Sequence, residues 1–320
     1  MSFMTTRATL GFKIESTPYT AETLTANEYN IAAKGVSYSG EIPMFERKLA
    51  RGDYSKDPSV AGKRSVKISF TVDLYVSSNL KDPPSYFGCL RACGLKQTVH
   101  GTTGVSLVTD SDYSNVPATI EVVEKDEGTA PVQVVVKARG CMGNAKLLIN
   151  NVGEPISIEF EFTGVLVSIT DRAHASLISP SGISTITPDA VLSAGVTMFG
   201  EAQCLNTLTI DLGNDVQLFT CPSYAEGYQG AHVVNTNPTL ELDSDLELIA
   251  TQGDYARLTG NETGAFLTQV GGNFSLSGPA VQLTKAYSRG DREGHVTNAK
   301  SLEFKRSSGD NELKILQGTE

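Results

Sequence analysis

The chain has 320 residues, 40% of them hydrophobic and 19% charged, with a formal net charge of −10. This length exceeds the usual single domain and suggests two, each able to bury a core, and the acidic balance argues against a protein that grips phosphates through clustered Lys and Arg. No apolar run reaches the ~18 residues that a membrane-spanning helix needs.

The N-terminal text MSFMTTRATLGFKIES is broken by polar residues at every second or third place, unlike a secretory signal, so synthesis and folding in the cytoplasm are expected. In that setting Cys89, Cys93, Cys141, Cys204 and Cys221, an odd number scattered along the chain, are expected as reduced thiols.

Strand signals dominate from the start. After VSYSGEI comes a long loop, PMFERKLARGDYSKDPSVAG, and then RSVKISFTVDLYV, in which Val66, Ile68, Phe70, Val72, Leu74 and Val76 alternate with Ser65, Lys67, Ser69, Thr71, Asp73 and Tyr75. Strand side chains point alternately to opposite faces, so one face of this segment is dry and the other wet. PPSYFGCLRACG opens on prolines, spaces Phe87, Leu90 and Cys93 near a helical period and stops at Gly94, which predicts a short helix. APVQVVVKARG, AKLLINN and PISIEFEFTGVLVSI follow as strands.

DRAHASLISPSGISTITPDAVLSAG, rich in Ser, Pro, Gly and Thr, predicts an extended connector over 171–195, with one module at 1–170 and another at 196–320. The second module repeats the order of the first. Strand LNTLTIDLGNDVQLF leads to a long loop, TCPSYAEGYQGAHVVNTN, and an alternating strand, PTLELDSDLEL. A helix is expected in DSDLELIATQGDYARL, with Leu246, Ile249 and Ala250 on one side, before strands NFSLSG, AVQLTKAY and KSLEFKR.

Catalytic constellations are missing from this text. His100, His174, His232 and His295 sit in loop-like contexts without metal-binding spacing, and there is no GxSxG elbow, P-loop or GxGxxG. Cys89 and Cys93 share a helical face but have no second ligand pair, so they are expected as buried thiols. The DSD runs at Asp110 and Asp243 lack the rest of a calcium loop, and Asn261 and Asn273 carry glycosylation text that has no meaning without secretion. Two RGD tripeptides, Arg51–Asp53 and Arg289–Asp291, are expected in loops as turn chemistry. No cofactor, metal or enzymatic role is expected.

Glu46, Arg47 and Arg51 before the strand start Gly62, Lys63 and Arg64, followed by CLRACG at Cys89–Gly94 and by Phe160, Phe162 and Gly164, resemble the major tail tube proteins of long-tailed bacteriophages over about Glu28 to Arg306. The resemblance implies a mainly β fold of two tandem β-sandwich modules, each with one short flanking helix, whose strands join those of neighbours in a closed barrel around a DNA-conducting channel. It implies a non-enzymatic virion protein of the tail, partnered by further copies of itself, a tape measure protein and tail terminator or tip proteins, with DNA passing through without tight binding and no membrane.

One-module relatives close as rings of six, so two fused modules imply a trimeric ring. On this reading the wet faces line the channel. They comprise Lys67, Ser69, Thr71, Asp73, Ser157, Glu159 and Glu161, then Thr209, Asp211, Thr239, Glu241, Asp243, Ser301, Glu303 and Lys305. The first long loop is expected to reach an adjacent ring through Glu46, Arg47, Lys48, Arg51 and Asp53. The competing reading is a β-sandwich adhesin or decoration protein on the virion surface.

Overall fold

The computed structural model describes residues 8–47, 49, 56–110, 116–125, 132–149, 154–173, 195–246, 248, 253–270, 273–309 and 311–320. In the first half lie β1 (Thr9–Ile14), β2 (Ala33–Glu41), β3 (Met44–Phe45), β4 (Val60–Ala61), β5 (Ser65–Asp73), α1 (Tyr86–Ala92), β6 (Leu95–His100), β7 (Gly104–Thr109), β8 (Ala118–Lys125), β9 (Val132–Ile149) and β10 (Ser157–Ala173). The second half holds β11 (Gly195–Met198), β12 (Glu201–Ala202), β13 (Leu205–Asp211), β14 (Asp215–Thr220), β15 (Tyr228–Asn235), β16 (Thr239–Asp245), α2 (Asp254–Gly260), β17 (Thr263–Val270), β18 (Phe274–Arg292), β19 (His295–Phe304) and β20 (Lys314–Gly318).

Eight of these strands form one antiparallel layer in the order β2-β5-β10-β9-β13-β16-β19-β18. The first four and the last four have the same internal order, and their pairing matches residue by residue. Tyr38 lies opposite Ile68, which lies opposite Phe162. Ile210 lies opposite Leu240, which lies opposite Leu302. A second correspondence fixes the register, since Leu74 N–H donates to Ile156 O (2.8 Å) where Leu246 N–H donates to Val296 O (3.0 Å). Flanking strands correspond as well, with β1 on β8 on the N-terminal half of β9 matched by β11 on β17 on the N-terminal half of β18.

One dry row crosses the whole layer: Ala33, Val72, Ile158, Leu147, Ile210, Leu240, Leu302 and Leu283 are successive cross-strand partners. All but Ala33 are buried. A second layer covers this face, built from β6-β7-β20, the N-terminal half of β18, and β17-β11-β12. Where the layers meet around Leu90, Leu147, Ile158, Ile210, Leu276 and Ile315, only a cavity of about 20 Å³ remains. Most buried apolar side chains of both halves form one continuous core, beside a small separate cluster of Leu24, Tyr29, Val123 and Val135.

Helix α1 lies where expected, burying Tyr86, Phe87, Cys89, Leu90 and Ala92 and ending at Gly94, whose φ of 92° suits glycine alone. Burial pushes the Cys89 and Cys93 thiols well above their ordinary pKa, as inert packing residues.

Two sequence expectations are corrected. The segment expected as a helix does not start one at Asp243: Asp243–Asp245 belongs to β16, held by pairing to Ala299–Thr297, and the described helix α2 covers Asp254–Gly260. Leu246 is exposed, and Ile249 and Ala250 lie outside the described residues. The loop expected over 220–237 contains β15, because GAHVVN pairs with β14 as a hairpin. The barrel expected from the resemblance joins strands of neighbouring chains; within this chain the layer is open, and among the described residues β2 and the C-terminal half of β18 each keep one unpaired edge. The connector expected over 171–195 falls mostly outside the described residues, although β10 runs on to Ala173.

Phe70, Phe160 and Phe162 cluster with ring centroids 5.3–6.0 Å apart. Phe162 is fully buried over Gly143, where an added Cβ would lie 2.6 Å from the ring. Phe162→Ala should therefore lower the unfolding free energy by about 3–5 kcal/mol in urea titrations. A loss under ~1 kcal/mol would mean that this cluster is not part of the core.

Candidate functional site

The alternation that buries one face of the eight-stranded layer brings polar side chains together on the other. One wet row runs across all eight strands through Lys34, Thr71, Glu159, Lys146, Asp211, Thr239, Glu303 and Gln282. A second links Asp73, Ser157, Leu148, Thr209, Glu241, Ser301 and Lys285. Ser37, Ser69, Glu161 and Asn144 make a third, Lys67 lies between Ser39 and Thr163, and Asp243 lies between Thr207 and Ala299. Lys305 follows the end of β19 and reaches back to form an ion pair with Glu303. All fifteen residues singled out from the alternating text thus share one face.

Sequence reading missed the contributions of β2, β9 and β18 to this face, notably Lys34, Ser37, Asn144, Lys146, Gln282 and Lys285. Lys146–Leu147 and Gln282–Leu283 begin an alternation, but Leu148 on the wet row and the bulge between Leu283 and Lys285 break it, so the local text assigns these segments no wet side. The omission matters for charge. The residues named above include seven carboxylates, Asp73, Glu159, Glu161, Asp211, Glu241, Asp243 and Glu303, against five lysines, Lys34, Lys67, Lys146, Lys285 and Lys305, and Glu41 and the paired Asp245 and Arg292 continue the alternation at the strand ends.

Four pairs neutralise part of it: Lys34–Asp73, Lys67–Glu161 (3.7 Å), Lys146–Asp211 (3.0 Å) and Lys305–Glu303. Glu159, Glu241 and Asp243 form no such pair among the described residues and supply the negative surplus. Lys67 and Glu161 are each more than 60% exposed, so water screens their attraction.

The best-built part of the face lies where the halves join, at β9 and β13. Asp211 accepts hydrogen bonds from Asn144 Nδ2 (2.7 Å) and Gly213 N–H (2.8 Å) while pairing with Lys146. Burial alone would raise its pKa, but these donors and the Lys146 charge hold it below the usual carboxylate range. Its own hydrogen bond and charge raise Lys146 in turn.

The β14–β15 hairpin of the second half folds over one end of this face, on the first half. Arg139, across from Val165, donates to Glu226 Oε2 (2.9 Å) and to the carbonyls of Tyr228 (3.2 Å), Gln229 (2.7 Å) and Tyr19 (2.8 Å). Gly140, at φ +58°, lets the hairpin backbone close in, since a Cβ there would sit 2.9 Å from Gly230 Cα.

Of the five residues expected to reach an adjacent ring, Glu46 and Arg47 are exposed beside the short β3–β4 hairpin, and Lys48, Arg51 and Asp53 lie outside the described residues. The tripeptide Arg289–Asp291 is not a loop but part of β18, paired to Asn298, Thr297 and Val296. The other tripeptide lies outside the described residues. Among the described residues no helix is long and apolar enough to cross a membrane. No protein-family model and no curated protein matches the chain.

Proposed function

We propose that the chain is a structural subunit that assembles, ring upon ring, into a tube, with the wet face of the eight-stranded layer turned toward a channel that conducts DNA. The observation that carries this reading is the internal join. A four-stranded unit occurs twice, the two units meet edge to edge at β9 and β13, and the layer ends on a free edge of each kind. Such a head-to-tail contact is heterologous, and repeated between chains it either closes into a ring or runs on as a filament. Closure also removes the unpaired strand edges that would otherwise aggregate.

The face itself supports the same reading, because a wall with more carboxylates than lysines repels phosphates and lets DNA slide. With the resemblance to phage tail tubes, this gives a virion tail protein whose partners are its own copies, a tape measure protein and terminator or tip proteins. Six four-stranded units per ring then correspond to three chains.

The test is electron microscopy of the purified protein and of its tube cross-sections. Tubes of uniform width with three chains per ring are expected. Six chains per ring, or discrete oligomers without tubes, would refute the proposal.

A further inference from the structure

The internal repeat specifies more than the existence of a join: it specifies its register. In the chain, β13 lies on β9 with Thr209 opposite Leu148, Ile210 opposite Leu147 and Asp211 opposite Lys146. The correspondence between halves maps Thr209, Ile210 and Asp211 onto Ser37, Tyr38 and Ser39, through their partners on β16 and β5. Leu147 maps onto Arg289, because Leu147 lies opposite Ile158 and Val72 beyond it, as Arg289 lies opposite Asn298 and Ser244 beyond it. Likewise Lys146 maps onto Ser288, and Leu148 onto Gly290.

We infer that β2 of one chain adds to β18 of a second copy of this chain with Tyr38 opposite Arg289, Ser39 opposite Ser288 and Ser37 opposite Gly290. This rests on the tube reading and gives it a residue-level contact.

Exposure on both edges fits that occupant. Tyr38 is 38% exposed, whereas Ile210, its counterpart inside the chain, is 2% exposed. On the other side, Leu246, Tyr287, Arg289, Val296 and Asn298 line an open, mostly apolar groove of about 270 Å³. Leu246 there is 48% exposed, while its counterpart Leu74 is fully buried. Tyr38, seated on β18, would lie across this groove with its ring against the Arg289 guanidinium, an arrangement favourable for a cation and an aromatic face.

The differences between the two joins are also informative. Arg289 and Asp291 stand on the free edge where the internal join has Leu147 and Ile149, and charges on an unpaired edge keep it from pairing indiscriminately before assembly. This accounts for the second RGD tripeptide without a receptor.

The pairing type makes the register testable. Leu212 N–H donates to Ala145 O (3.1 Å), so the adjacent Asp211–Lys146 pair is of the non-hydrogen-bonded kind. Ser39 and Ser288 inherit that geometry, with Cα atoms ~4.5 Å apart, within reach of a disulfide. The full chain carrying Ser39→Cys and Ser288→Cys, with Cys204→Ser and Cys221→Ser to remove the accessible thiols, should on mild oxidation give a covalent species of three chains that does not lengthen further. The two-residue shifted pair Ser37→Cys and Ser288→Cys should give about tenfold less.

Micrographs of the same samples separate the possible failures. Tubes that crosslink equally well or better through the shifted pair, or through neither, would overturn the register and leave the tube reading standing. Absence of tubes and of any crosslinked species in both variants and in the parent chain would overturn both. As a second probe, Tyr38→Lys should suppress assembly by opposing Arg289, and adding Arg289→Glu should restore it; no rescue together with unchanged assembly of the single variant would also overturn the register.

Discussion

Arg139→Met is expected to lower the unfolding free energy by about 3–5 kcal/mol, the range for removing one partner of a buried ion pair. Arg139 is 5% exposed, and its guanidinium ties three parts of the chain together: the N-terminal segment through Tyr19 O, β9 where it resides, and the β14–β15 hairpin through Glu226, Tyr228 and Gln229. It also lies over the Tyr224 ring at 4.7 Å. Methionine keeps much of the apolar stem but leaves three carbonyls and a carboxylate short of a donor. Urea unfolding at neutral pH measures the loss, and a change below ~1 kcal/mol would show that the hairpin holds without this anchor.

The same variant has a pH signature. Burial by itself would raise the Glu226 pKa, but the Arg139 hydrogen bond, a backbone donor and the charges of Arg139 and Arg64 bring it below its ordinary value. A carboxyl depressed on folding contributes stability that is complete above the unfolded pKa and lost as pH falls through the folded one. Glu15, which accepts from Gly140 N–H (2.7 Å) and Thr119 Oγ1 (3.0 Å), is raised by burial, and Arg139 restrains that rise too. Removing Arg139 raises both carboxyls, so the gap between parent and variant should narrow as pH drops through the carboxylate range. A gap that stays constant or widens would contradict the assignment.

The wet face was legible in the sequence because a strand has period two. Once Val66, Ile68, Phe70 and Val72 are recognised as dry, Lys67, Ser69, Thr71 and Asp73 have nowhere else to point. The repeat was legible in the order of elements, and α1 in its proline start and glycine stop. What local text could not reveal is pairing between distant strands. Nothing near Leu147 or Ile210 announces that these two lie side by side, and this contact joins the strands of both halves in one sheet.

Lys300 illustrates the same limit. Its parity in KSLEFKR puts it on the dry side, and it is 1% exposed there, matched by Asp254 Oδ2 at 2.7 Å and Gln203 Oε1 at 3.4 Å, partners far off in the chain. The β15 segment was misread for a related reason. Its glycine and asparagine are turn residues by local preference, and the neighbouring β14 overrides that preference.

Reversing Glu159, Glu241 and Asp243 to lysine should trap DNA while leaving the subunit folded. These three are chosen because each lies on the wet face without an ion-pair partner among the described residues, so their replacement breaks none of the four pairs on that face. The wet rows named above hold seven carboxylates and five lysines, a balance of −2, and three reversals of two charges each bring those rows to +4 per chain. Every phosphate that a new lysine neutralises releases condensed counterions, so attraction to the wall should rise steeply at low salt and fade as salt increases. Screening confines the effect to a Debye length of ~10 Å at 0.1 M salt, so only DNA running along this face can feel it. Particles assembled with the triple variant are therefore expected to eject DNA at least ~10-fold more slowly at low salt, with recovery at high salt. Reversing the same number of carboxylates elsewhere, at Asp82, Glu262 and Glu320, should change little, since these exposed residues lie outside the eight-stranded layer. Ejection at the parent rate at every salt concentration, from particles shown to contain the variant tube, would mean that this face does not look into the channel.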